Sequence, residues 1–150
     1  MFKGKIMLTI FIALTLITGS RFYILGKQSS NLEVKVGVID GKLTACPKKP
    51  NCLSSFEKDK QRVSPIKSTL TLKQIKSVIS SMEGAKLIKE ERAYLYFTFT
   101  SSTFSFVDDL ELLSIGNLIH IKSASRTGHY DLGANKKRIE TIRKLLQNHR

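Results

Sequence analysis

Three consecutive segments in the second half of the chain alternate as β-strands do, and they constrain the fold more than any other feature. Residues 93–101 read A-Y-L-Y-F-T-F-T-S, residues 104–115 follow, and a Gly-Asn pair then leads into residues 118–125. Aromatic and β-branched residues at a period of two favour strands, and Gly-Asn between two such runs is typical of a hairpin turn. Residues 85–91 add a shorter strand before them. The sequence therefore predicts an antiparallel meander of about four strands.

Two segments with helical spacing flank this meander. Apolar side chains recur every three or four positions in residues 71–82 and again in residues 134–148, which predicts one helix on either side of the strands. The expected fold is an α+β domain of two layers, in which both helices cover one face of the sheet. Residues 32–38 also alternate, and they predict a further strand or an extended arm.

The first 26 residues have the character of a signal peptide or a transmembrane anchor. Two lysines precede a mainly apolar run, residues 6–17, which suits either interpretation. No Ala-x-Ala site follows the run and Arg21 comes soon after it, so the cleavage site is poor. Extended to Leu25, the segment reaches the roughly 20 residues that cross a bilayer. We favour an uncleaved anchor, with the rest of the chain exported.

The remaining chain divides simply. Residues 27–31 read K-Q-S-S-N and form a short polar linker. Residues 32–150 contain no internal repeat and no low-complexity tract, and their length suits one small domain.

The two cysteines, Cys46 and Cys52, lie in the segment C-P-K-K-P-N-C. This spacing is not that of a zinc knuckle, and the three histidines are scattered without ligand spacing, so the sequence predicts no metal site and no cofactor. In an oxidising compartment a pair this close predicts a small disulfide loop, whereas a cytoplasmic domain would keep two free thiols. We favour the disulfide because it is consistent with export.

The chain is strongly basic, with 25 Lys and Arg against 12 Asp and Glu and a formal net charge of +13. Such a surface suits nucleic acid, anionic lipid headgroups or no specific partner. We expect no nucleic acid, because an exported domain seldom meets it and the basic residues are not interleaved with exposed aromatics. The membrane, reached through the N-terminal helix, is the expected partner, and its anionic lipids attract a tethered basic domain.

Asp108 and Asp109 are neighbours on a predicted strand, so their side chains point to opposite faces. They cannot form a paired acid–base dyad on a regular strand. Asp108 shares its face with Leu110 and other apolar residues, and a carboxylate buried there needs a cation to stay ionised. Arg126 and Arg138 are the candidates, either for a structural bridge that orders the following loop or beside a carboxylate that polarises a ligand.

Residues 122–138 read K-S-A-S-R-T-G-H-Y-D-L-G-A-N-K-K-R and carry most of the candidate site residues. Glycine amides, an arginine and the start of the last helix favour the binding of an anion. The segment has neither the ending of a phosphate loop nor a serine-nucleophile elbow. The candidate ligand-binding residues are Ser123, Ser125, Arg126, Gly128, His129, Asp131, Gly133 and Asn135, together with Asp108 and Asp109.

Four segments, in order and with compatible spacing, carry a family resemblance. They are C-P-K-K-P-N-C-L-S-S, Y-L-Y-F-T-F-T-S, F-V-D-D-L-E and K-S-A-S-R-T-G-H-Y-D-L-G-A-N-K-K-R-I-E, within residues 43–146. The chain resembles the bacterial and plastid domain-of-unknown-function family numbered 1499. Lys122 and Lys136 stand where that family usually has arginine, and lysine cannot make a bidentate fork.

The resemblance implies an exported or membrane-associated domain, and no activity, substrate or cofactor. Together with the leader, it predicts a location in the bacterial cell envelope. The domain is then periplasmic, either anchored in the inner membrane or released to the periplasm if the leader is cleaved.

Two functional hypotheses of different classes follow. The first is a non-catalytic envelope domain that binds an anionic ligand, a lipid headgroup or a protein partner through residues 126–135. The second is a hydrolase or transferase that uses a carboxylate of the 108–109 pair, His129 and Ser123 or Ser125. We favour the first, because the sequence offers no defined set of nucleophile, base and orienting group.

Overall fold

The structure, a computed structural model, describes residues 2–149 and begins with one long helix, α1 (Phe2–Ser29). Its stretch Gly4–Ser29 contains an 18-residue window with a mean hydropathy of 1.8, and apolar side chains lie exposed around the helix. A helix of 28 residues is about 42 Å long. Among the described residues α1 is the one helix long and apolar enough to cross a membrane, and signal sequences share these properties.

The rest of the chain forms an α+β domain around an antiparallel sheet of six strands. A two-stranded hairpin precedes the sheet and is formed by β1 (Val38–Ile39) and β2 (Lys42–Leu43). The sheet strands are β3 (Cys52–Ser54), β4 (Ile66–Lys67), β5 (Ala85–Glu90), β6 (Tyr94–Thr100), β7 (Val107–Ile115) and β8 (Leu118–Ser125). Their order is β3-β8-β7-β6-β5, and β4 also pairs with β8.

The predicted α+β class and the meander from β5 to β8 are confirmed. The sheet also includes β3 and β4, which are three and two residues long and both pair with β8. Strands of two or three residues are too short to show a period-two pattern, so the sequence alone does not predict them. Residues 32–37, which we call the arm, have no regular secondary structure, and pairing in this part of the chain begins at Val38.

Two helices, α2 (Leu72–Ser80) and α3 (Ala134–Asn148), pack on one face of the sheet, as predicted. α2 begins with a capping box, in which the side chains of Thr71 and Gln74 each accept from the other residue's backbone N–H. Alternate side chains of the central strands point toward the helices, and the fully buried ones include Phe97, Leu112 and Ile121. This face is the hydrophobic core.

The opposite face of the sheet is covered by the chain between α1 and β3. Leu43 of β2 is buried there and forms a small apolar cluster with Tyr94, Tyr96 and Leu113. Other strand positions on this same face carry charged side chains. The second face is therefore part apolar and part ionic.

The C-terminal end of α1 packs against the turn that precedes β7. The rings of Phe22 and Phe104 have centroids 5.5 Å apart, and Gly26 lies so close to the Phe104 carbonyl that a Cβ atom has no room. The Ser29 hydroxyl oxygen accepts from the Val107 N–H at 2.9 Å. These three helix positions are spaced by four and three residues and so share one side of the helix. The end of α1 is thereby joined to the start of β7.

Candidate binding site

Asp109 and Arg126 form a buried ion pair on the second face of the sheet. Arg126 Nε and Nη2 lie 3.0 and 2.8 Å from the two carboxylate oxygens, and the side chains are 9% and 5% exposed. Tyr96 donates its hydroxyl to Asp109 at 2.6 Å and accepts from Arg126 at 3.0 Å. Nη1 donates to the Ser30 carbonyl, just after α1, at 3.0 Å. Every donor-bearing nitrogen of Arg126 is thus bonded within the chain.

These contacts change the pKa values of both Arg126 and Tyr96. Hydrogen bonding to Asp109 raises the pKa of Arg126. Burial, reinforced by the Asp109 carboxylate, raises the pKa of Tyr96 well above its usual range. Arg126 therefore stays charged, and Tyr96 stays a protonated donor.

Glu111 and Lys122 form a second buried pair on the same face, with Nζ and Oε1 2.8 Å apart and side chains 1% and 5% exposed. Lys122 also donates to the Thr44 hydroxyl at 2.7 Å and to the Lys35 carbonyl at 3.0 Å. The other carboxylate oxygen of Glu111 accepts from the Tyr94 hydroxyl at 2.7 Å and from the Gly37 N–H. This pair therefore ties residues 35–44 to the sheet.

Between the arm and these two ion pairs lies a cavity of about 720 Å³, which we call the arm cleft. Its floor is formed by the two pairs and by Ala124 of β8. Its walls come from the arm, from Leu43, and from the Cys46–Cys52 disulfide loop, whose predicted bond is present. Its volume lies within the range of about 300–1,000 Å³ typical of small-molecule sites.

Asn51 in the disulfide loop lines the arm cleft and is 1% exposed. Its amide nitrogen donates to the Gly128 carbonyl at 2.9 Å and to the Ser125 carbonyl at 3.2 Å. Its side-chain oxygen is buried and has no hydrogen-bond partner among the described residues. An unpartnered buried acceptor is rare in folded proteins.

Three charged side chains of the cleft lining differ from the floor in being exposed: Glu33, Lys35 and Lys49. Among the described residues, the carboxylate of Glu33 and the ammonium groups of Lys35 and Lys49 have no ion-pair or hydrogen-bond partner, although the backbone carbonyls of both lysines accept hydrogen bonds. Each of the two ion pairs in the floor has no net charge. The net charge of the lining therefore comes from the three exposed side chains, which are two cations and one anion. The cleft therefore favours an anion.

On the helix face, Asp108 pairs with Arg138, not with Arg126. Arg138 Nη2 lies 2.6 Å from Asp108 Oδ2, and Nη1 donates to the Ser123 hydroxyl oxygen at 2.9 Å and to the side-chain oxygen of Asn135 at 2.7 Å. Asn135 is fully buried and donates to Ser125 Oγ at 3.1 Å. These five residues clamp α3 to β7 and β8, which is the structural bridge that the sequence left open as one interpretation.

The loop between β8 and α3 is ordered at its C-terminal end. Asp131 accepts from the N–H groups of Gly133 and Asn135, at 3.1 and 2.9 Å. Burial raises the pKa of Asp131, but these two amide donors outweigh it and the net pKa is lowered. Gly128 and Gly133 have φ angles of +81° and +82°, as expected for glycines at left-handed positions.

The residues proposed for an enzyme are not assembled into a catalytic set. Ser123 donates to Asn135 at 2.6 Å, and His129 packs edge-to-face against Tyr130 with ring centroids 4.7 Å apart. Asp108 and Asp109 are each held by an arginine on opposite faces of the sheet. Within residues 2–149, no group of three or more His, Cys, Asp or Glu residues could hold a metal ion.

Sequence reasoning missed the arm side of the cleft and one serine–histidine pair. Lys35 and Thr44 reach the sheet because the arm folds back over β7 and β8, and Asn51 reaches it because the adjacent strand β3 pairs with β8. Ser55 Oγ lies 3.1 Å from His120 Nδ1, and burial lowers the pKa of that imidazole. The two residues are 65 positions apart, and no local pattern joins them. Phe56 stacks on the His120 ring with centroids 4.2 Å apart, but no carboxylate of the described residues hydrogen-bonds the imidazole, so we assign the pair no chemistry.

The comparisons with known proteins identify the family. A family model described as a protein of unknown function, DUF1499, matches residues 42–146. No curated protein and no solved structure matches the chain. The matched range runs from β2 to the last turn of α3, so it includes the floor of the arm cleft, the disulfide loop and the clamp under α3. The chain therefore belongs to the DUF1499 family.

Proposed function

We propose that the chain is a membrane-anchored, non-catalytic domain of the bacterial cell envelope that binds a small anionic ligand in the arm cleft. α1 is the anchor, and the domain stands on the periplasmic side of the inner membrane. The Cys46–Cys52 disulfide supports this side, because disulfides persist in oxidising compartments and are rare in the cytoplasm.

The observation that carries the binding proposal is the unpartnered, buried side-chain oxygen of Asn51, a residue of the cleft lining. Leaving a buried acceptor unsatisfied costs about 1–3 kcal/mol. We propose that a small movement of the Asn51 amide exposes this oxygen to the cleft, where a hydroxyl or amine of a ligand removes that cost. The expected ligand therefore carries at least one hydrogen-bond donor.

The charge and shape of the cleft add two further properties to the ligand. Lys35 and Lys49 are unpaired at its rim, so an anionic group of the ligand is favoured there. Val34, Val36 and Leu43 line the interior and suit an apolar portion. A small amphipathic anion with a hydroxyl or amine group satisfies all three features.

The alternative function, a hydrolase or transferase, has less support. The hydroxyls of Ser123 and Ser125 are engaged by Asn135, and a serine nucleophile needs a base within hydrogen-bond reach instead. The ring of His129 packs against Tyr130, and within the described residues no hydrogen bond joins it to either serine. We therefore assign these residues to the architecture of the loop.

Native mass spectrometry of the full chain, released from lipid nanodiscs, tests the binding proposal. Wild-type protein should carry a small-molecule adduct. Ala124→Phe fills the cleft from its floor and should abolish the adduct. Lys35→Ala/Lys49→Ala should weaken adduct retention, whereas the control Lys73→Ala/Lys86→Ala removes the same charge from exposed positions of α2 and β5 and should leave it unchanged.

Two outcomes count against the proposal. One is a wild-type protein without any adduct, and the other is an adduct that survives in correctly folded Ala124→Phe. Equal loss in both lysine double variants would mean that general positive charge, and not the rim of the cleft, holds the ligand.

A further inference from the structure

One end of the sheet lies beside the end of α1. The Val107 N–H, at the start of β7, donates to Ser29, and Ser125, at the end of β8, pairs with Asp108. Arg126 then donates to the carbonyl that follows α1. Two loops leave the sheet at this end, residues 101–106 and residues 127–133. Both are therefore close to the point where α1 meets the domain.

The length of α1 fixes where a bilayer surface lies relative to these loops. The hydrocarbon core is about 30 Å thick and needs about 20 apolar helical residues, which in this chain are residues 6–25. The contact between Phe22 and Phe104 is near the C-terminal end of that stretch. Loop 101–106 is thus level with the boundary between hydrocarbon and headgroups.

These loops expose two large apolar side chains beside smaller polar ones. Tyr130 is 70% exposed and Leu132 is fully exposed, while Phe104 is half-buried against Phe22 and Phe106 is half-buried against Phe104. The exposed polar side chains are Ser101, Ser102, Thr103 and His129. No charged residue occurs in residues 101–106, so no charge must be desolvated when this loop enters the interface. Aromatic side chains are enriched at this depth of membranes.

Both loops have a backbone that holds these side chains outward. Ser105 and Leu132 have φ angles of +57° and +51°, in the left-handed region that bulky residues seldom adopt. In the first loop the Ser101 N–H donates to the Phe106 carbonyl and the Phe106 N–H donates to the Ser101 hydroxyl oxygen. In the second loop Asp131 accepts from the Gly133 N–H. A fully exposed leucine on a strained backbone has no benefit in water, and it has one in contact with lipid.

Basic residues border this surface. Arg21 and Lys27 are exposed on α1, and Lys136 and Lys137 are exposed in the first turn of α3. Headgroups of anionic lipids attract such residues within a Debye length. The surface therefore combines apolar side chains at the hydrocarbon boundary with cations at headgroup level.

We propose that loops 101–106 and 127–133 form a second membrane contact, in which Phe104, Phe106, Tyr130 and Leu132 enter the interface of the bilayer that α1 spans. This inference rests on the anchoring role of α1 in the proposed function. This second contact holds the domain in one orientation relative to the bilayer, with the end of the sheet that carries both loops toward the lipid.

Tryptophan fluorescence tests the contact, since the chain contains no tryptophan. Single variants place a reporter in each loop, Phe104→Trp and Leu132→Trp. A third, Ile115→Trp, places it at the opposite end of β7 on a residue that is also exposed, and Phe11→Trp places it inside α1. Each full-length variant is measured in nanodiscs of phosphatidylcholine and phosphatidylglycerol with and without brominated acyl chains.

Both loop reporters should show a blue-shifted emission and lose intensity with brominated lipid, whereas Ile115→Trp should do neither. The proposal is overturned if both loop reporters behave as Ile115→Trp does while Phe11→Trp is quenched. An unquenched Phe11→Trp would instead overturn the anchor itself, and the second contact with it. Leu132 has no packing to lose, so its variant remains informative if Phe104→Trp fails to fold.

Discussion

Lys122 illustrates how a single side chain organises the second face of the sheet. Its ammonium group donates to a carboxylate, a hydroxyl and a backbone carbonyl, at 2.7 to 3.0 Å. Three separate acceptors suit a compact ammonium with three rotatable donors better than a planar guanidinium. The lysine at this position therefore fits a role in tying the arm to the sheet.

Replacement of Lys122 by methionine should destabilise the domain strongly. The change leaves Glu111 buried without its cation, which typically costs about 3–5 kcal/mol. Urea unfolding monitored by circular dichroism measures the loss. The matched control is Lys89→Met, which breaks an exposed pair with Glu91 and should cost at most about 1 kcal/mol. Equal effects of the two substitutions would contradict the assigned role.

His120 should give the domain a defined pH dependence. Burial lowers its pKa from the usual 6.5, so the folded state binds fewer protons than the unfolded state between the lowered pKa and 6.5. Stability therefore falls as the pH drops through that window and is regained above it. His120→Gln should reduce this slope when the free energy of unfolding is measured between about pH 7.5 and pH 5. An unchanged slope would assign the pH dependence to other groups.

At the scale of elements, the junction between α1 and the domain depends on one small residue. Gly26 lets the helix backbone approach the carbonyl of Phe104, and Ser29 then reaches Val107. The same helix contains Gly19, where an added Cβ meets nothing within 4 Å. Gly19 and Gly26 therefore have different roles although both lie in the same apolar helix.

Gly26→Leu should separate α1 from the turn before β7. Amide hydrogen exchange of residues 101–107 should become faster, because Val107 loses its bond to Ser29 and loop 101–106 loses its support. Gly19→Leu is the control and should leave the exchange of these amides unchanged. If Gly26→Leu also leaves it unchanged, the docking of α1 on the domain is not a stable contact.

At the scale of the whole molecule, the sheet separates two kinds of stabilisation. One face is an apolar core under α2 and α3. The other is covered by a thin arm, and the two buried ion pairs and the disulfide loop hold that arm in place. Because the arm buries little apolar surface, its position depends on covalent and ionic contacts more than the core does.

Loss of the disulfide should therefore affect the arm cleft before it affects the core. Cys46→Ser/Cys52→Ser should lower the free energy of unfolding by about 2–3 kcal/mol, since a short closed loop restricts the unfolded chain only moderately. A reductant should shift wild-type unfolding by a similar amount and leave the double variant unchanged. A shift of the double variant under reductant would show that the effect is not due to this bond.

The sequence by itself determined the elements whose signals are local. The period-two runs predicted β5 to β8, and the helical spacing predicted α2 and α3, the latter with its observed bounds. Opposite orientations of Asp108 and Asp109 followed from the geometry of a strand alone. The cysteine spacing, combined with export, predicted the disulfide that the structure contains.

Only the tertiary structure decided which groups meet across the sheet. Arg138 takes Asp108 and Arg126 takes Asp109, a choice that depends on which face α3 and the end of α1 occupy. The arm cleft, with Lys35, Asn51 and Lys122 around one cavity, depends on contacts between residues more than 70 positions apart. Periodicity records how one segment meets its neighbours along the chain, whereas such contacts arise only when the whole chain has folded.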